Sequence, residues 1–194
     1  PVTEMITGLD LAEQQIRIAR GERLSFAQED LRINGHAVEL RVYAEDPLNN
    51  FLPNVGKLET YQRPVGEHIR LDDGYEAGMD IPIYYDPMIA KLVTWGVNRE
   101  GAIRRMLEAI SQYEIKGVRT TLPFGQFVFE HEAFLSGDFD TNFVKQYFTP
   151  EAIKEKEAKE AELAAHIAAQ LYEDAHQQLQ VPHVPTSPWW KVLR

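Results

Sequence analysis

Arg41 stands between two carboxylates, Glu39 two residues before it and Glu45 four after, in the stretch G-H-A-V-E-L-R-V-Y-A-E-D-P from Gly35 to Pro47. A guanidinium stays protonated at any physiological pH and offers planar donors. Such a residue can hold a carboxylate, a phosphate or an oxygen that gains negative charge during a reaction. The same pattern equally describes a solvated strand arginine paired with its neighbours, and the stretch alone leaves both readings open. Tyr84-Tyr85-Asp86, between Pro82 and Pro87, and the Asn142-Phe143 pair are the other candidates. His131 lies between Glu130 and Glu132, which reads more simply as a wet helix surface than as a metal site. Asp72-Asp73-Gly74 reads as a tight turn and not as a calcium loop. No G-x-G-x-x-G, P-loop, H-E-x-x-H or G-x-S-x-G motif occurs. These residues by themselves support an α+β domain with an anion-binding arginine.

The element that positions Arg41 is a strand. Val38, Leu40, Val42 and Ala44 alternate with Glu39, Arg41, Tyr43 and Glu45, so one face is apolar and the other charged. Upstream, Asp10 with Glu13 three residues on predicts a capped helix, although Leu9, Leu11, Ile16, Ile18 and Ala19 give only an approximate apolar stripe. Leu52 to Lys57 is a turn cluster. Strands are expected at Leu58 to Tyr61 and His68 to Leu71, with Pro64-Val65-Gly66 turning between them. Met88 to Trp95 is apolar enough for a buried strand. Asn98 then caps an amphipathic helix whose Ala102, Ile103, Met106, Ala109 and Ile110 recur at helical spacing. A short strand over Glu114 to Val118 and helices over Leu122 to Glu130 and Asn142 to Phe148 follow. From Glu151 to Gln180 the chain lacks Gly and Pro and reads as one long, largely solvated helix. Three prolines between Val181 and Pro188 form a spacer, and Trp189-Trp190 suit a tail anchored to a surface.

The 194 residues suffice for one good core and an appended piece. A formal net charge of −10 argues against a nucleic-acid surface and does not favour anionic membranes. No run approaches the apolar length of a membrane span. With no cysteine, disulfides and thiolate metal sites are excluded. The opening Pro1-Val2-Thr3-Glu4, without an initiator methionine or signal peptide, suggests a cut inside a longer polypeptide.

Six segments in order resemble the C-terminal part of biotin carboxylase, the ATP-grasp component of acetyl-CoA, propionyl-CoA and pyruvate carboxylases. They are P-V-T-E-M-I-T-G-L-D-L, G-H-A-V-E-L-R-V-Y-A-E-D-P, F-L-P-N-V-G-K, Y-Y-D-P-M-I-A-K-L, G-V-R-T-T-L-P and T-N-F. The resemblance covers about Pro1 to Phe148. It implies an α+β chain in three parts: the end of an ATP-grasp domain over 1–33, the biotin carboxylase C-terminal domain over 34–148, and a helical tail over 149–194. The middle part is expected to be a mostly antiparallel sheet with packed helices.

The implied reaction is ATP-dependent carboxylation of biotin carried on a separate lysine. Bicarbonate attacks the γ-phosphate of ATP and gives carboxyphosphate, which yields CO₂ and phosphate. The phosphate takes the N1′ proton of biotin, and the ureido anion attacks CO₂. By the resemblance Arg41 faces the ureido oxygen, Phe143 lies at the edge of the adenine pocket, and Arg70 lies near a homodimer contact. For Phe143 an ordinary core position, and for Arg70 a plain surface position, stay open. The double-tyrosine loop is expected to be structural, its hydroxyls positioning neighbours; Glu39 and Glu45 are expected to orient Arg41. ATP, Mg²⁺ or Mn²⁺, bicarbonate and biotin are the implied substrates and cofactors. The residues that bind metal–ATP and bicarbonate are expected to precede Pro1. No Met-Lys acceptor motif occurs, so no biotin is attached to this chain. Implied partners are a biotin carboxyl carrier protein or domain, a carboxyltransferase and a second copy in a homodimer, with no nucleic acid and no membrane. The expected location is cytoplasmic, or mitochondrial in a eukaryote. The alternative is a non-catalytic module for dimerisation and docking.

Overall fold

The computed structural model describes residues 1–82 and 84–178. The expected spacer and the Trp189-Trp190 anchor lie outside the described residues. The chain divides into two compact units, Pro1–Ile153 and the part from Lys154 onward.

Two helices open the chain, α1 (Val2–Thr7) and α2 (Leu11–Ala19). The main strand β1 (His36–Tyr43) continues into the two-residue strand β2 (Glu45–Asp46). Short strands β3 (Leu52–Pro53), β4 (Gly56–Lys57) and β5 (Thr60–Gln62) lead to β6 (Ile69–Asp73) and β7 (Asp80–Ile81). After β8 (Met88–Gly96) come α3 (Arg99–Gln112), β9 (Glu114–Lys116), α4 (Leu122–Glu130), α5 (Glu132–Ser136), α6 (Phe143–Tyr147) and α7 (Pro150–Gln178).

A three-stranded antiparallel sheet, β1-β8-β6, forms the centre of the first unit, with β8 in the middle. The pairs β2-β3, β4-β7 and β5-β9 flank it. Residues directly opposite in an antiparallel sheet share a face, and the register therefore sorts every side chain. Val38, Leu40 and Val42 of β1 line up with Thr94, Leu92 and Ala90 of β8 on the inner face, with Ile69 and Leu71 of β6 beyond them. Helix α3 covers this face with the five residues expected from its spacing, Ala102, Ile103, Met106, Ala109 and Ile110, all buried. Asn98 caps it by accepting from the Gly101 amide at 2.8 Å. Leu92 and Met106 are fully buried, each stabilising by about 1.5–3 kcal/mol. The buried Thr94 hydroxyl donates to the Ala102 carbonyl at 2.8 Å and ties helix to sheet.

The opposite, outer face carries Glu39 and Arg41, and α1 lies against it on β1 and β8. Glu4 joins α1 to two other elements. One carboxylate oxygen accepts from the Leu11 amide at 2.8 Å, and the other from Arg70 on β6 at 2.7 Å. The Leu11 amide first, and Arg70 next, hold the Glu4 carboxyl below its ordinary value of 4.5. A lowered folded pKa contributes stability above the unfolded value, and that contribution disappears as pH falls through the folded one. Glu4→Gln is therefore expected to unfold at lower temperature than the wild type at neutral pH. The gap should close as the pH drops below about 4, measured as melting temperature against pH. A gap that is the same at both ends of the range overturns the assignment.

Three local expectations are corrected. Asp72 and Asp73 do not turn; they continue β6. Their carboxylates are engaged by side chains, Asp72 by Arg70 on the same strand and Asp73 by Arg63 and the Tyr61 hydroxyl from the β5 segment. The Asp10 cap forms as expected, with the Glu13 amide donating at 2.8 Å, yet no residue of α2 is buried. Its apolar side chains, Ile16 and Ile18 among them, are exposed. Within Leu52 to Lys57 the turn residues bracket two strand pairings, Asp46 with Leu52 and Gly56 with Ile81.

Candidate functional site around Arg41

Arg41 projects from the outer face of β1, its side chain 60% exposed. Glu39, mostly buried at 16%, meets the Arg41 Nε at 3.3 Å. Hydrogen bonding to Tyr43, and then to Glu39, raises the Arg41 pKa above its already high ordinary value. The guanidinium is thus permanently charged, held at its stem, and open at its head.

Glu45 does not join this arrangement. β1 ends at Tyr43, and Glu45 belongs to the separate strand β2, which pairs with β3 and not with β8. Glu45 instead faces Asp86. Burial, and then that second carboxylate, push its pKa up. Of the two carboxylates expected to orient Arg41, only Glu39 does so.

Thr121 was not singled out by sequence reasoning, and it fixes the backbone under Arg41. Its amide donates to the Tyr43 carbonyl at 3.1 Å, and its hydroxyl accepts from the Tyr43 amide at 3.0 Å. The same hydroxyl lies 3.2 Å from the Arg41 carbonyl, to which it donates. Thr121 is 5% exposed and sits at the start of α4. The signal was present in the G-V-R-T-T-L-P segment, but a contact across about 80 residues has no local pattern.

Arg70 is clamped from two sides. Its Nε and Nη2 hold both oxygens of Asp72, at 2.8 and 2.9 Å, and its Nη1 holds Glu4. The Asp72 pair is the first cause of its raised pKa. Arg70 lines a cleft of about 360 Å³ between α1 and α2, with Glu4, Met5, Gly8, Leu9 and Asp10. It lies beyond β8 from Arg41, two strands away.

Phe143 is buried, 7% exposed, in an aromatic cluster. Its ring centroid lies 5.2 Å from His131, 5.1 Å from Tyr147 and 6.5 Å from Phe127, distances typical of edge-to-face packing. His131 is therefore not a plain wet-surface residue. It packs among these rings, and its Nδ1 accepts from the Ala133 amide at 3.2 Å to start α5, a helix the sequence did not announce. Tyr84 and Tyr85 are almost fully exposed, and among the described residues neither hydroxyl is hydrogen-bonded. The expectation that they position neighbours within this chain is not met. Asp86 instead stabilises its own loop, accepting from the Met88 amide at 3.0 Å.

Among the described residues no group of three or more His, Asp or Glu side chains converges on a point that could hold a metal ion. Their donor set does not fit Mg²⁺ or Mn²⁺, and no step is assigned to a metal bound by this chain. No described helix is long and apolar enough to cross a membrane.

Comparison with known proteins gives this arrangement a context. The family model described as biotin carboxylase C-terminal domain matches residues 39–146, which contain Arg41, Arg70, Thr121 and Phe143. Residues 1–27 match the family described as carbamoyl-phosphate synthase L chain, ATP binding domain. Biotin carboxylase 1 of Bacillus subtilis is 47% identical over 147 residues, covering 76% of this chain and 33% of the relative. The propionyl-CoA carboxylase alpha chain of Ruegeria pomeroyi is 41% identical, covering 87% of this chain and 28% of the relative. The solved biotin carboxylase domain dimer of Hydrogenobacter thermophilus 2-oxoglutarate carboxylase, in complex with MgADP, ADP and bicarbonate, superposes with a TM-score of 0.75. It is 45% identical, covering 76% of this chain and 32% of that one. The chain thus spans about a third or less of the length of these relatives. The antiparallel sheet, the helices packed on it and more than half of the sequence agree: this chain belongs to the biotin carboxylase C-terminal domain family.

Proposed function

We propose that this chain is the C-terminal part of a longer biotin carboxylase, in which Arg41 stabilises the ureido oxygen of biotin as that oxygen gains negative charge. The observation that supports this most is the presentation of Arg41. Its stem is held by Glu39 and its backbone by Thr121, while its guanidinium opens to solvent from an edge strand whose other face is seated in the core through Val38 and Val42. A donor so placed needs no reorganisation as charge develops, which is the condition for electrostatic stabilisation of a transition state. In this reading ATP, a divalent metal and bicarbonate are held by residues that precede Pro1, and biotin arrives on a carrier protein or domain. The relative from Hydrogenobacter thermophilus, a dimer with MgADP and bicarbonate, supports that substrate set and a homodimer. Arg70 would lie near the contact between copies, and Phe143 would close the adenine edge through its 7% exposed rim. The division into 1–33, 34–148 and 149–194, and a cytoplasmic or mitochondrial location, belong to the same proposal.

The test is direct. The chain alone is expected to show no bicarbonate-dependent ATP cleavage, and the complete polypeptide is expected to carboxylate free biotin. Turnover by residues 1–194 alone overturns the division of the site.

A second reading, a non-catalytic docking and dimerisation module, draws on α7. Leu163, Ile167 and Leu171 recur every four residues on that helix and are exposed, leaving an apolar stripe available to a carboxyltransferase or carrier. The two readings part on Arg41, whose removal should abolish catalysis in the first and leave it intact in the second.

A further inference from the structure

We propose that Lys91 is a second cationic residue of the Arg41 site, donating from the neighbouring strand to the same ureido oxygen of biotin. The proposal rests on the reading of Arg41 given above.

The register of the sheet carries the argument. Arg41 of β1 lies directly opposite Lys91 of β8, and Lys91 lies directly opposite Asp72 of β6. The three form one row across the outer face, where opposite Cβ atoms are about 4.5–5.5 Å apart. In such a row Lys91 is expected to pair with Asp72. It does not. Both oxygens of Asp72 are taken by Arg70, at 2.8 and 2.9 Å. Glu39, in the next row, is held by Arg41. Glu4 is taken by Arg70 and the Leu11 amide. Each carboxylate on this face thus has another partner. Among the described residues Lys91, although half-buried, makes no hydrogen bond or ion pair.

Two costs meet at this position. Like charges directly opposite on a sheet repel, and a partly buried ammonium without a partner loses solvation that nothing restores. Both costs disappear if an anion sits between Lys91 and Arg41. The two cations are also complementary in kind. The guanidinium gives directed planar donors, while the ammonium is a compact charge on a mobile stem that can follow the oxygen as it gains charge. Lys91 remains protonated throughout and exchanges no proton or bond with the substrate. Its strand is the central one, paired on both sides, which restricts the stem's origin.

The test uses the complete enzyme with free biotin as the probe. It compares Lys91→Met and Lys91→Arg with Arg41→Ala, and with Lys57→Met as an exposed control on β4. Lys91→Met is expected to lower kcat/KM for biotin about tenfold or more, while KM for bicarbonate moves less than about threefold. Lys91→Arg is expected to recover most of the loss, and Lys57→Met to match the wild type. Wild-type kcat/KM for biotin in Lys91→Met, alongside a loss in Arg41→Ala, overturns the proposal. So does a parallel loss toward both substrates with a lowered melting temperature, which reports a structural lysine. If Arg41→Ala itself keeps full activity, the reading of Arg41 falls and takes this proposal with it.

Discussion

Arg41→Ala in the complete enzyme is expected to reduce biotin carboxylation about 10²-fold or more, the usual loss on removing one preorganised donor from a developing oxyanion. Stability should hardly change. The Arg41 side chain is mostly exposed and its ion pair with Glu39 has surface character, and such pairs contribute little to stability. Arg41→Lys keeps the charge and loses the planar fork, so an intermediate rate is expected. The measurement is ATP cleavage dependent on free biotin, run beside sedimentation and thermal unfolding. A wild-type rate with intact assembly sinks the catalytic reading and leaves the docking module. A collapse of both rate and stability would instead mean that Arg41 supports the sheet, which the exposed guanidinium argues against.

Gly117→Ala is expected to be the most destabilising of the small substitutions, by roughly 2–5 kcal/mol, from backbone strain plus overpacking. Gly117 has φ +99°, and a Cβ there would stand 2.0 Å from the Lys57 carbonyl oxygen and 3.0 Å from the Glu59 amide nitrogen. Both neighbours are main chain and cannot step aside. The Glu59 amide also donates to the Lys116 carbonyl at 2.9 Å, so the clash falls where β9 is tied to the strand segment before β5. Gly137 is the internal comparison. It too has positive φ, +82°, but nothing lies within 4 Å of its added Cβ. Gly137→Ala should therefore cost only about 1 kcal/mol. Urea midpoints of the two variants separate crowding from strain. Equal losses would show that the close approach to Lys57 is not what selects glycine at 117.

Much of the scaffold was legible because its signals are local. The spacing of Ala102, Ile103, Met106, Ala109 and Ile110 marks a buried helix face whatever the rest of the chain does. The alternation through Val38 and Val42 marks a strand with one buried face. Caps at Asp10 and Asn98 are read from side chains that reach only three residues ahead. Asp72-Asp73-Gly74 failed because turn chemistry is a propensity, and pairing of this segment with β8, with Arg63 and Arg70 holding the two carboxylates, outweighed it. His131 failed for a related reason. Its flanking glutamates describe sequence neighbours, while its environment is built from Phe127 one helical turn before it and from Phe143 and Tyr147, brought in by α6.

For the candidate site the division is sharper. The sequence by itself determined that Arg41 is a permanently charged residue on the polar face of a strand, with Glu39 two residues away on that face; period-2 geometry and a pKa above physiological range suffice for both. Tertiary structure alone decided three things. The hand-over from β1 to β2, which pairs with β3 and not with β8, removed Glu45 from the site. Thr121 arrived from α4 to hold the backbone under Arg41. Pairing with β8 set Lys91 beside Arg41, while Arg70 drew Asp72 away from it. Each of these depends on which strands lie side by side and in what register, and residues separated by tens of positions carry no local signal of that choice.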